Sequence, residues 1–142
     1  LDRVETEWPL RMTLQPGSHV PLHCTASGKL LLALLPAARR RRIVAELPLP
    51  RYTEQTITDA KALDAELASI RREGRATDNE EYLAGLVCVA VPVSAHDGRT
   101  VACVAVHAPV ARMTLDRALE HVPALQRAAD ALGATFGAQA KQ

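Results

Sequence analysis

The chain has 142 residues, enough for one domain with a sizeable core, and its 48% hydrophobic and 23% charged residues are ordinary globular proportions. A net charge of +1 is too small to hold nucleic acid by charge alone, and no apolar stretch approaches the ~18 residues that a membrane-spanning helix needs. Aromatic residues make up only 3%, so the core has to be built from Ala, Val and Leu.

The three cysteines are an odd number with no close spacing, which gives neither a disulfide framework nor a Cys-x-x-Cys metal pair. Free thiols point to a reducing, cytoplasmic setting. The chain starts at Leu1, and "LDRVET" is no signal peptide, so it reads as part of a longer protein entered partway.

In chain order, "LDRVET" and "LRMTL" predict two short extended segments forming a β-hairpin, with Pro9 between them. In "PLHCTASGK", Thr25 or Ser27 caps a helix with Gly28 and Lys29 in its first turn, continuing through "LLLALL" to Pro36. This helix is apolar on nearly every side and is expected to be buried. "PAARRRRIVAEL" predicts a second short helix beginning with Pro36. Its block Arg39–Arg42 spreads around the helix, which suits a solvated face or salt bridges across an oligomer contact better than a nucleic-acid stripe.

After the proline-rich connection "PLPRYTEQTIT", Thr58 is expected to cap the helix "DAKALDAELASIRREG". Ala60, Leu63, Leu67 and Ile70 form its apolar stripe, and Gly74 stops it. The charge run "ATDNEE" reads as a solvated face. "LVCVAVPV" and "TVACVAVHA" flank "SAHDGR", a strong hairpin signal. "TLDRALEH" and "PALQRAADALGATFG" then predict helical segments interrupted at Pro123, the second with a stripe of Leu125, Ala128, Ala129 and Leu132. Strands and helices alternate without a βαβ rhythm, so the expected class is α+β: an antiparallel sheet with helices on its faces.

A two-residue turn at Asp97-Gly98 fixes the hairpin register. His96 then faces Arg99, Pro92 faces Cys103, Ala90 faces Ala105 and Cys88 faces His107. A bulged three-residue turn would shift these pairs. One face carries Val87, Val89, Val91, Val93, Val104 and Val106, an ordinary core surface. The other carries Leu86, Cys88, Ala90, Pro92, Cys103, Ala105 and His107. Such small side chains leave room either for a closely packed helix, the last one for example, or for a pocket with a few polar groups.

Together, "PLHCTASGKLLLALLP", "TITDAKALDAELASIRREGRATDNEEYLAGLVCVAVPV" and "GRTVACVAVHAP" resemble the effector-binding domain of IclR-type bacterial transcriptional regulators over nearly the whole chain. The motifs that carry the resemblance are the TASGK turn, "TEQTI", "DNEE" and Gly-Leu-x-Cys-x-Ala-x-Pro-Val. The resemblance implies a GAF-like fold over residues 1–142 and a winged helix-turn-helix DNA-binding domain outside this chain. It implies a small carboxylate or aromatic acid as effector, dimers or tetramers, and neither a cofactor nor a membrane partner. By motif, the pocket is lined by Thr25, Ala26, Ser27, Gly28, Asp78, Leu86, Cys88, Ala105 and His107. Many relatives carry Ser at the last two positions, where this chain has Ala105 and His107.

The helix start offers backbone N–H groups and a dipole that favour an anion, with Gly28 allowing close approach and Thr25 and Ser27 adding hydroxyls. Capping and binding would use the same groups. On the resemblance, Asp78 accepts a hydrogen bond from a ligand hydroxyl or from a backbone N–H that shapes the pocket; His107 can donate to a ligand oxygen or, if protonated, pair with its charge. A phosphate loop is excluded, because only Gly28 precedes Lys29 where two glycines are required. His23, Cys24, Cys88 and His107 have no recognised metal-site spacing, so no metal is expected. The rival readings are a small Cys/His hydrolase, with Cys88 as nucleophile and His107 as base, and a pure oligomerisation domain with a filled cavity.

Overall fold

The computed structural model describes Val4, Glu7 and residues 17–136. Apart from those two residues, the hairpin expected over 1–14 lies outside the described part. The described chain runs α1 (Ala26–Leu34), α2 (Ala37–Glu46), α3 (Ala60–Glu73), β1 (Ala76–Asn79), β2 (Leu86–Ser94), β3 (Thr100–Pro109), α4 (Leu115–Glu120) and α5 (Val122–Gly133). The strands form an antiparallel sheet in the order β1-β2-β3.

α1 forms where Thr25 leaves extended backbone and its Oγ1 accepts the Gly28 N–H at 3.2 Å. Leu30, Leu32 and Ala33 are buried, although Leu31 turns outward and is half exposed. Pro36 stands at the cap position before α2 rather than inside its first turn. Within the arginine block, Arg40 folds back so that Nη1 donates to the carbonyls of Leu35 (2.9 Å) and Ala33 (3.2 Å), serving the unpaired end of α1. Its neighbours Arg39, Arg41 and Arg42 are exposed.

The cap of α3 is Asp59, not Thr58: its Oδ1 accepts the Ala62 N–H at 2.9 Å. Leu63, Leu67 and Ile70 are buried as the spacing requires, whereas Ala60 is exposed, and Gly74 closes the helix at φ +68. The break between α4 and α5 falls at His121, with Pro123 accommodated in the first turn of α5, where its missing N–H has no helical partner to lose. The buried stripe of α5 runs through Val122, Leu125, Ala129 and Gly133, so Ala128 and Leu132 point to solvent instead. Gly133 is required there, because a Cβ would collide with the Ser94 carbonyl oxygen.

The β2–β3 register pairs Cys88 with His107, Ala90 with Ala105 and Pro92 with Cys103, as the two-residue turn predicts. The turn itself is longer. The Gly98 N–H donates to the Ala95 carbonyl at 2.9 Å, the Ala95 N–H to the Arg99 carbonyl at 2.8 Å, and Gly98 adopts φ +79. His96 and Arg99 are therefore not partners. Ser94 pairs with Thr100 and Val93 with Ala102, which leaves Val101 as an extra residue. That bulge cancels the one-residue shift made by the turn.

The two faces of the sheet are covered by different helices. Val91, Val93, Ala102 and Val104 pack on Val122, Leu125 and Ala129 of α5. Cys88, Ala90, Cys103 and Ala76 pack with Ala26, Leu30, Leu32 and Ala33 of α1 and Leu63, Leu67 and Ile70 of α3. The small residues of the second face thus admit α1, not the last helix. Ala90 is fully covered there, while Ala105 and His107 on β3 are exposed.

Candidate functional site

β1 supplies what the charge run hid. Its four residues pair with β2 so that Asp78 lies opposite Cys88, and Cys88 lies opposite His107. Directly opposite residues share a face, so Asp78, Cys88 and His107 form one row across three strands, on the side that α1 covers. Asp78 is 3% exposed and Glu81 is 8% exposed, so this part of "DNEE" is not a solvated face.

Two elements fix Asp78. Its Oδ1 accepts the N–H of Glu81 at 2.7 Å and of Tyr82 at 3.4 Å, which closes the chain into a tight turn after β1. Glu80 takes φ 59 in that turn. The turn is also held from outside: Thr56 Oγ1 donates to the Glu81 carbonyl at 2.7 Å, and Thr53 Oγ1 to the Glu80 carbonyl at 2.6 Å. The "TEQTI" segment therefore serves to anchor the "DNEE" turn.

Lys29 joins this turn to α1. Its Nζ donates to Glu81 Oε1 at 2.6 Å and Oε2 at 2.8 Å, and to Glu66 Oε1 of α3 at 2.9 Å. The lysine is 1% exposed. Sequence reasoning placed Lys29 in the first turn of α1 without giving it a role. The available signal was its position in a helix that is apolar nearly all round, where an ammonium has to find a partner inside.

Burial governs the titration of the cluster. Desolvation pushes the Asp78 carboxyl up to about 6; the Glu81 N–H opposes this, the Glu81 carboxylate adds to it, and the Tyr82 N–H and Lys29 oppose it. Glu81 is also raised by burial, with Lys29 acting against the shift. Desolvation, followed by the charge of Asp78, pushes the Cys24 and Cys88 thiols up to about 12. Both are protonated at neutral pH, which leaves Cys88 without the thiolate that a nucleophile needs.

The remaining expected residues divide by place. Thr25, Ala26, Ser27 and Gly28 form the start of α1, above the sheet face that carries Cys88. Thr25 Oγ1 also donates to the Pro21 carbonyl at 2.7 Å, so its hydroxyl is spent on the turn. Gly28 faces protein: a Cβ there would lie 2.7 Å from both the Cα and the carbonyl oxygen of Leu22. Its lack of a side chain thus serves the return of the loop before α1. Leu86 is buried on the same sheet face as Cys88. His23 is buried with Nε2 3.0 Å from the Pro50 carbonyl and its ring 6.0 Å from Tyr52. Among the described residues no group of three or more His, Cys, Asp or Glu side chains is arranged to hold a metal. A cleft of about 220 Å³ lies between α3, β1 and α4, lined by Glu66, Ser69, Glu73, Arg75, Thr77 and Leu119 among others, so that Glu66 borders both it and the Lys29 cluster.

Residues 1–134 match the family described as "Bacterial transcriptional regulator IclR C-terminal". The chain belongs to the IclR family and is an effector-binding domain of that type. It is 57% identical over 136 residues to "Probable transcriptional regulator SauR" of Cupriavidus necator, covering 96% of this chain and 54% of that protein. The chain thus spans about half the length of the curated relatives it matches. Among solved structures it resembles the Thermotoga maritima IclR, with a TM-score of 0.83 and 34% identity over 94% of this chain and 56% of that one. It also resembles the inducer-binding domain of PobR from Acinetobacter, a double mutant in complex with 3-hydroxybenzoic acid. That match has a TM-score of 0.80 and 27% identity over 87% of this chain and 74% of that one. The family is one of transcriptional regulators, not of enzymes, so the hydrolase reading falls.

Proposed function

We propose that this domain binds a small carboxylate or aromatic-acid metabolite between the start of α1 and the Asp78–Cys88–His107 row, and that binding biases DNA recognition by a winged helix-turn-helix elsewhere in the full-length protein. The observation that carries this reading is the likeness to the PobR inducer-binding domain, which was solved with an aromatic acid. The site offers matching chemistry. The helix start favours negative charge, Leu86 supplies apolar wall, and Ala105 and His107 keep one end of the row open to solvent.

On this reading Thr25, Ala26, Ser27 and Gly28 present the helix start, Asp78 accepts the turn N–H groups that shape the pocket, and His107 donates a hydrogen bond where a serine would otherwise stand. The fold is GAF-like, the regulator is cytoplasmic, and it works as a homodimer or tetramer whose symmetry matches a two-part operator. Ligand binding changes the balance between conformations, and the DNA-binding part responds to that balance.

The test is thermal unfolding of the chain against a panel of acetate, lactate, benzoate and 3-hydroxybenzoate. A ligand at a hundredfold excess over its Kd adds about 2.7 kcal/mol of stability, which is a readily measured rise in Tm. A flat response across the panel contradicts acid sensing and favours a domain that only assembles.

A further inference from the structure

We infer that an acidic effector enters this site together with a proton from solvent, and that the Oδ2 atom of Asp78 takes it up. This rests on the effector reading above and adds to it the protonation state in which the site works.

The reason lies in the bonds already made. A lysine ammonium has three N–H donors, and Lys29 spends all three, two on Glu81 and one on Glu66. Glu66 and Glu81 bond this one ammonium, and the third carboxyl group, Asp78, lies beside them and accepts the Glu81 backbone N–H. An incoming carboxylate therefore meets excess negative charge in a buried place, with no donor of Lys29 left to receive it. Asp78 is the member that can change. Its Oδ1 is occupied by the Glu81 and Tyr82 N–H groups, and among the described residues its Oδ2 has no hydrogen-bond partner. A proton on Oδ2 removes one negative charge and turns the atom into a donor toward the ligand carboxylate. The bonds to Oδ1 stay in place, so the turn after β1 need not move.

The groups around Asp78 leave few competitors. Lys29 of α1 and Glu81 of the turn hold each other, with Glu66 of α3 behind the lysine. Cys24 before α1 and Cys88 of β2 are thiols held up to about 12, so both stay neutral throughout. His107 of β3 ends the same row and is the rival proton acceptor. Burial already holds Asp78 up to about 6, so a neighbouring ligand charge has only a short way to carry it above neutral pH.

The test is titration calorimetry of the chain with benzoate, 3-hydroxybenzoate, acetate and lactate at about pH 7, in buffers of different ionisation enthalpy. The expected result is uptake of about one proton per acid bound and an affinity that weakens toward about tenfold per pH unit above neutrality. Asp78→Asn should lose both the uptake and the pH dependence. His107→Gln, read only for its proton count, should keep the uptake. An acid that binds wild-type protein without proton uptake overturns the inference and leaves the effector reading intact. Uptake that survives in Asp78→Asn but vanishes in His107→Gln also overturns it. No binding by any of the four acids removes the effector reading itself. The wild-type proton count decides the matter even if the Asp78→Asn chain fails to fold.

Discussion

Lys29 shows how far a residue's setting can depart from its neighbours in sequence. It stands in an apolar helix, yet its ammonium is the hub that ties α1 to α3 and to the turn after β1. Removing one partner from a buried ion pair leaves the other charge stranded, at a cost of about 3–5 kcal/mol. Lys29→Met should therefore lower the free energy of urea unfolding by about that amount, and adding Glu81→Gln should restore part of it. A Lys29→Met chain as stable as wild type would mean that the pair carries no structural weight. Asp78 makes the opposite contribution at neutral pH. Its carboxyl is lifted from 3.8 to about 6, so the folded chain holds the proton more tightly than the unfolded chain does. The stability this provides is full below about 3.8 and is lost as pH rises through about 6, on the order of 3 kcal/mol in all. Asp78→Asn, whose Oδ1 can still accept the two turn N–H groups, should flatten that fall in a pH series of unfolding curves.

At the level of elements, local chemistry was legible and its exact address was not. The α3 helix was readable from the stripe of Leu63, Leu67 and Ile70 and from its stop at Gly74. Thr58 and Asp59 are both good caps standing side by side, and only the backbone decides between them. Asp59→Ala should cost about 1 kcal/mol, whereas Thr58→Ala should cost almost nothing; the reverse order in denaturant unfolding would place the helix start one residue earlier. The hairpin shows a different limit. A two-residue turn gives the right pairs for Cys88 and Ala90, although the real turn is longer, because the bulge at Val101 offsets it. β1 was not legible at all. It has four residues with alternating burial, and polar Thr77 and Asp78 become strand residues only because β2 lies beside them. Gly28 carries a further lesson about α1. Ala has the better helix propensity, but at this position its methyl would meet the Leu22 backbone, so Gly28→Ala should destabilise the chain by about 1–3 kcal/mol in the same assay.

For the molecule as a whole, the pattern of small and β-branched residues foretold two dissimilar sheet faces, with helices to cover them. It could not say which helix covers which, since α1 and α5 both present alanines at helical spacing. Long-range packing settles that: α1 takes the cysteine-and-alanine face, and α5 takes the valines. The result sets the start of α1 over the sheet face on which Asp78, Cys88 and His107 form one row. The measurement that tests this account most directly is a crystal structure of the chain grown with whichever acid of the panel stabilises it most. The account predicts density for the acid between residues 25–28 and the Asp78–Cys88–His107 row, within hydrogen-bonding distance of Asp78. Density in the cleft between α3, β1 and α4 instead, with the α1 site unchanged, would contradict it.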